Sequence, residues 1–85
     1  MYEIEFLPRA VQDLNNLDDA VASRLLKKMR WLAEKFDSIK PEPLAGGFAG
    51  LLKLRVGDYR VIYQPDRENN VLRIHFVGHR REVYR

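Results

Sequence analysis

The 85-residue chain has no cysteine. That excludes a disulfide scaffold and thiolate chemistry, and leaves the fold to packing alone. No apolar run approaches the roughly 18–20 residues that span a bilayer, and the opening MYEIEF lacks the charged-then-apolar pattern of a secretion signal. The expected location is the cytoplasm, with no membrane partner. Signatures of several chemistries are missing too: there is no phosphate-cradling Walker loop, no metal-spaced His/Glu pair and no nucleophile elbow. Neither a metal nor another cofactor is expected. Glycine and proline are few, five and four, and most fall between residues 37 and 50, where Pro41, Pro43, Gly46, Gly47 and Gly50 predict a loop.

What is present describes one small domain over residues 1–85. A chain this short buries only roughly 60–65% of its unfolded surface, so stability is modest. Hydrophobic and charged contents of 46% and 32% are those of a globular protein and not of a disordered tail. The net charge of +3 is unevenly spread. Residues 1–50 hold seven Lys/Arg against eight Asp/Glu, whereas residues 51–85 hold eight against four. A basic second half points to a polyanion, or else to a solvated basic face without a partner.

Tyr2, Ile4 and Phe6 alternate with Glu3 and Glu5, the period of a half-buried strand. Pro8 suits the first turn of a helix, and Ala10, Val11, Leu14 and Leu17 give that helix an apolar stripe to about residue 16. Asp18 is placed to cap a longer helix whose buried face is Val21, Ala22, Leu25, Met29, Leu32 and Phe36. The short link predicts an antiparallel helix hairpin. After the loop come strands at residues 52–56, 59–64 and 71–77, the first two joined by Gly57-Asp58 with Gly supplying positive φ. The expected fold is α+β: an N-terminal strand, two antiparallel helices, then a three-stranded antiparallel meander completing a four-stranded sheet covered by helices on one face.

Such a sheet is apolar on the covered face and polar on the other. Leu52, Leu54, Val56, Tyr59, Val61, Tyr63, Leu72, Ile74 and Phe76 are assigned inward. Lys53, Arg55, Arg60, Ile62, Gln64, Arg73 and His75 are assigned outward. The two-residue turn sets Arg55 opposite Arg60 and Lys53 opposite Ile62. Like charges so placed cost about 0.2–1 kcal/mol, and an anion between them reverses the sign. The alternative is that each guanidinium reaches water or pairs with Asp58 or Glu82. Trp31 is expected at the helix margin or a partner interface.

The last nine residues, VGHRREVYR, add Arg80, Arg81, Arg85, His79 and Tyr84. Fixed cations, an imidazole and a phenol are the groups needed to cleave an RNA phosphodiester without a metal. The 2′-hydroxyl proton must be removed, a dianionic phosphorane stabilised and the departing 5′-oxygen protonated. Histidine titrates near neutrality, whereas a phenol needs nearby cations to lower its pKa. Tyr84 either serves in proton transfer or packs its ring on the core edge. His79 and His75 are proton-transfer or supporting candidates, or plain surface residues.

LKLRVGDYRVIYQ followed by VGHRREVYR resembles the RelE/ParE superfamily of bacterial and archaeal toxins, specifically its RelE-like branch, over nearly the whole chain. The resemblance implies a toxin of a prokaryotic type II toxin–antitoxin system. It would be a ribosome-dependent endoribonuclease cutting mRNA in the A site without metal, leaving 2′,3′-cyclic phosphate and 5′-hydroxyl ends. It also implies contact with ribosomal RNA and inhibition by a cognate, RelB-like antitoxin. By position, Lys53 contributes to the basic site, Arg60 holds the scissile phosphate, Arg80 stabilises the transition state or leaving group, and Tyr84 activates the 2′-hydroxyl. Arg55, Arg73, Lys27, Lys28 and Arg85 are RNA-contact candidates.

The chain also departs from the pattern. Leu51 stands where a lysine is common. The Arg80-to-Tyr84 spacing is short, which makes Arg81 an alternative to Arg80. His79 replaces a common lysine, and the chain leaves no room after Tyr84 for the terminal helix of some members. Two rival readings share the fold: a ParE-like gyrase inhibitor that performs no RNA chemistry, and a degenerate toxin that binds RNA or antitoxin without cutting.

Overall fold

The predicted alternation at the N-terminus produces strand β1 (Glu3–Phe6), and Pro8 opens helix α1 (Pro8–Asn15) at the position where its missing N–H costs nothing. The structure, a computed structural model, describes residues 1–44 and 50–83. Helix α2 (Asp19–Lys35) follows with Asp18 at its N-cap, although the Asp18 carboxylate makes no capping bond; its backbone carbonyl accepts from Ala22 N. Leu25, Met29, Leu32 and Ala33 are buried on α2, and Phe36 continues the stripe into a single 3-10 turn, Phe36–Ser38. Val11, expected in the core, is 45% exposed, because α1 turns Ala10 and Leu14 inward instead.

Strands β3 (Leu52–Val56), β4 (Tyr59–Asp66) and β5 (Val71–His79) form the expected meander. The sheet, however, has five strands in the order β1-β5-β4-β3-β2, not four. The extra strand β2 (Glu42–Pro43) lies in the stretch read as a loop and pairs antiparallel with β3. Pro43 is tolerated there because β2 is the sheet edge, where no further ladder bond is required of it. Gly46 and Gly47 of that loop fall outside the described residues. At the other edge β1 pairs parallel with β5, Glu3 opposite Val71 through Phe6 opposite Ile74.

The helices pack on one face of the sheet, making more contact with it than with each other: α1 lies chiefly against β5, and α2 across β1 and β3. The core between them is built on edge-to-face rings, Tyr2 to Phe36 at 5.1 Å and Phe36 to Tyr63 at 6.0 Å between centroids. Burial pushes the Tyr63 phenol up to about 12, against a smaller lowering by Arg67, so Tyr63 is a packing group. Where β5 outruns β1, α1 takes over its edge, and the Asp13 carboxylate accepts the Val77 amide at 3.0 Å.

A bulge breaks the register between Ile62 and Tyr63: Tyr63 faces Ile74, while Ile62 faces Phe76, leaving His75 as the extra residue. The bulge reverses the parity of β5 beyond it. Val77, not Phe76, enters the core beside Val61, and Phe76 lies on the opposite face under the Arg9 guanidinium at 4.4 Å. A final helical turn, α3 (Arg80–Val83), follows β5 where the sequence reading left no helix.

At the far end of β4 and β5, Asp66 accepts from the backbone N and side-chain Nδ2 of Asn69 and from Arg73 Nη1 at 3.0 Å, while Arg73 Nε donates to Glu5. The Asn69 bonds first, then Arg73, hold the Asp66 carboxyl below its ordinary value. A depressed folded-state pKa gives stability that is present above the unfolded pKa and lost as pH falls through the folded one. Asp66→Asn is therefore expected to melt below wild type at pH 7. The gap should narrow as pH falls below about 4, the ordinary carboxylate range, and close below the lowered folded-state value. Paired thermal melts at pH 7 and pH 3 check this, and a gap that persists in acid would point to packing instead.

Candidate functional site

The hairpin between β3 and β4 sets the site. Gly57 adopts φ +59, the left-handed conformation its lack of Cβ permits, and the two-residue turn puts Arg55 opposite Arg60 and Lys53 opposite Ile62, as the spacing predicts. On the face away from the helices, one row runs Glu42, Lys53, Ile62, Phe76 across β2 to β5. The next runs Arg55, Arg60, Gly78. This face is not uniformly polar: Ile62 is fully buried, flanked in its row by Phe76 and by Lys53, whose side chain is only 9% exposed.

Arg55 and Arg60 do not turn to a common partner. Arg55 instead donates to Glu42 Oε2 at 2.7 Å, and Lys53 Nζ lies 3.4 Å from the same oxygen. Burial pushes the Glu42 carboxyl up, but the hydrogen bond and charge of Arg55, followed by those of Lys53, hold it below its ordinary value. Arg60 curls back on its own turn, with Nη1 donating to Gly57 O and Tyr59 O, both at 2.9 Å. The residue is 8% exposed, and its Nε finds no acceptor among the described residues. A guanidinium buried with a donor unused is costly for folding.

Arg80 converges on the same turn. Its backbone N donates to Asp58 O at 2.7 Å, and its Nε lies 3.9 Å from Asp58 Oδ1. The turn of α3 folds back over Gly78, where an added Cβ would meet Val83 Cγ2 at 3.3 Å. The structure thus brings Arg60 and Arg80 together around residues 57–59, with Lys53 and Arg55 alongside.

Other candidates lie elsewhere. His79 pairs with Tyr59, ring centroids 5.6 Å apart, and therefore sits on the opposite face from Arg60. It lines a cavity of about 270 Å³ with Asp13, Asn16, Leu17 and Glu82. Arg81 is exposed, its amide bonded to His79 Nδ1. His75, in the bulge, meets Gln64 at 3.3 Å, and Arg73 is held between Glu5 and Asp66. Lys27 and Lys28 are on α2, on the helix side of the molecule, with Lys28 Nζ 3.9 Å over the Trp31 ring. Trp31 is 38% exposed at the helix margin, as expected. Tyr84 and Arg85 lie outside the described residues. Among the described residues no three His, Asp or Glu side chains gather as metal ligands, and no helix is long and apolar enough to cross a membrane.

Sequence reasoning missed Glu42. Its strand is too short to show a period, and two prolines flank it. The signal that points to it is the unbalanced charge of Lys53, Arg55 and Arg60 on one face.

The layout matches a known class. Over 92% of the chain, the structure superposes at a TM-score of 0.81 and 26% identity on 96% of a chain from the RelBE2 toxin–antitoxin complex of Mycobacterium tuberculosis. The isolated E. coli RelE toxin gives 0.77 at 27% identity, covering 93% of this chain and 84% of that one. Toxin RelG of M. tuberculosis is 29% identical over 90 residues, spanning 99% of this chain and 97% of that protein. The family model for the ParE toxin of type II toxin–antitoxin systems matches residues 4–84. The chain belongs to this RelE/ParE family of toxins and is RelE-like.

The isolation of Arg60 has a measurable consequence. Replacing a poorly satisfied buried cation by an apolar side chain of similar length removes the cost of its burial and gives up its two bonds to the Gly57 and Tyr59 carbonyls. Arg60→Met is expected to melt at or above the wild-type temperature. A loss of more than about 2 kcal/mol in denaturant unfolding, the scale of a stripped hydrogen-bond partner, would make Arg60 a structural residue.

Proposed function

We propose that the protein is a ribosome-dependent endoribonuclease that cuts mRNA in the A site and so arrests translation. The 2′-oxygen attacks the adjacent phosphorus, the bond to the 5′-oxygen breaks, and the products carry a 2′,3′-cyclic phosphate and a 5′-hydroxyl. The observation that carries this reading is Arg60, buried, with Nε unpaired, beside Arg80 at one turn. A guanidinium already stripped of water loses little hydration when a phosphate arrives and can grip it through two parallel bonds. In this reading Arg60 holds the scissile phosphate and Arg80 offsets charge on the phosphorane and leaving oxygen. Lys53 and Arg55 supply the surrounding field. Tyr84 assists removal of the 2′-hydroxyl proton, the role the family resemblance implies for it.

A RelB-like antitoxin is the expected partner, consistent with the RelE–RelB complex of Pyrococcus horikoshii, whose toxin fold scores 0.67 at 33% identity over 93% of this chain. The edge of β3 beyond Lys53, which no described residue pairs, and the adjoining groove of about 220 Å³ beside Trp31 and Ile39 suit an added strand or an amphipathic helix. The second reading, a gyrase inhibitor, is favoured by the ParE description of the matching family.

Cell-free translation of a defined message separates the two. The wild type is expected to arrest translation and produce cuts that need the ribosome. Arg60→Ala and Arg80→Ala should each slow cutting by about 10²–10³-fold, the scale of losing one transition-state donor, with melting unchanged. Ongoing translation alongside blocked supercoiling moves the assignment to gyrase. Tyr84→Phe removes only the hydroxyl, and full activity in that variant makes Tyr84 a packing residue.

A further inference from the structure

Folding gains nothing from setting Lys53, Arg55 and Arg60 on one face, and the chain supplies its own counter-charge. Glu42 is directly opposite Lys53 in the ladder, so its side chain leaves the sheet on the cations' side. Its Oε2 lies 2.7 Å from Arg55 Nη2 and 3.4 Å from Lys53 Nζ. A single anionic oxygen therefore sits between cations two positions apart on β3, and a phosphate oxygen could make the same contacts. Pro41 and Pro43 flank Glu42 and favour extended backbone, which keeps the carboxylate aimed at this point.

We propose that Glu42 is an internal competitor for substrate: its carboxylate holds the anion position between Lys53 and Arg55 in the free protein, and a phosphate of a single-stranded RNA replaces it on binding. The inference rests on the RNA-directed reading above and adds a residue that sets how tightly the basic face takes a strand. The exchange is accessible, because the Glu42 and Arg55 side chains are 42% and 58% exposed, and ion pairs of that exposure are weak and screened. Arg73 makes the contrast. Two carboxylates from two neighbouring strands, Glu5 and Asp66, hold it, whereas Glu42 reaches Lys53 and Arg55 from a two-residue edge strand.

The test is binding of a short 2′-O-methyl RNA, which has no 2′-hydroxyl to react, over a salt series. Glu42→Gln is expected to bind about 3–10-fold tighter at low salt. Its log–log salt slope should steepen by roughly 0.7, one more phosphate contact no longer offset by cation uptake at a released carboxylate. Glu42→Ala should behave alike, guarding against a new bond from the glutamine amide, and circular dichroism and melting verify that each variant is folded. Adding Arg55→Gln to Glu42→Gln should erase the gain. Glu68→Gln removes the same charge from the exposed β4–β5 turn and should leave affinity near wild type. No gain in the Glu42 variants, an equal gain in Glu68→Gln, or no binding by any form overturns the proposal. Cell-free translation run in parallel keeps the two readings apart. Arrest by the wild type without a Glu42 effect removes only the role of Glu42, and absence of arrest removes the nuclease reading by itself.

Discussion

The two-residue turn at Gly57 and Asp58 is the constraint on which the rest of the basic face depends. Only a residue comfortable at φ +59 closes it without strain, and its length dictates the pairing of β3 with β4. Three further contacts are then made on the turn itself. Arg60 binds the carbonyls of Gly57 and Tyr59, and Arg80 N binds that of Asp58. Through the last of these the strand that leaves the sheet is redirected into α3, which approaches so closely that a Cβ at Gly78 would press on the Val83 side chain. A longer turn would shift every one of these groups at once.

The electrostatics show what this geometry costs. Arg60 is desolvated without a carboxylate partner among the described residues, and Lys53 is nearly buried beside Ile62. The Arg60 arrangement runs against the ordinary rule that buried charges are paired and fully hydrogen-bonded, whereas Lys53 meets Glu42 at 3.4 Å. The opposite end of the same strands obeys the rule: Arg73 is bracketed by Glu5 and Asp66 and stabilises the β1–β5–β4 junction. Local departures from good folding practice in an otherwise consistent structure concentrate where a surface has another purpose.

Legibility from sequence followed the strength of local signals. The strand alternation, the apolar stripe of α2, the Gly57 turn and the Arg55–Arg60 pairing were all readable, because period and turn chemistry act over a few neighbouring residues. The bulge at His75 was not, since it is a register choice between β4 and β5 with no mark in either strand alone. It put Phe76, assigned inward, on the open face, and Val77 and His79 on the helix side. Strand β2 was hidden by prolines that an edge strand tolerates, and with it Glu42, the counter-ion that the clustered cations required. The one-turn helix α3 depends on a backbone bond to a distant turn, which no local propensity encodes. The roles proposed for Lys53, Arg60, Arg80 and Tyr84 rest on family resemblance.

The parallel pairing of β1 with β5 has a bearing on the order in which the molecule comes into existence. Residues at the extreme start of the chain find their ladder partners only among residues 71–74, and Tyr2 and Leu7 bond to the body just before and after that pairing. Contacts of such sequence separation form late and slow folding, because the intervening loop must be closed before they return any energy. During synthesis β1 is left waiting, and the sheet cannot close until its fifth strand has been made. The basic face, shared by β3, β4 and β5, is therefore among the last surfaces of the domain to be assembled, so a nascent chain lacks it until β5 has been made.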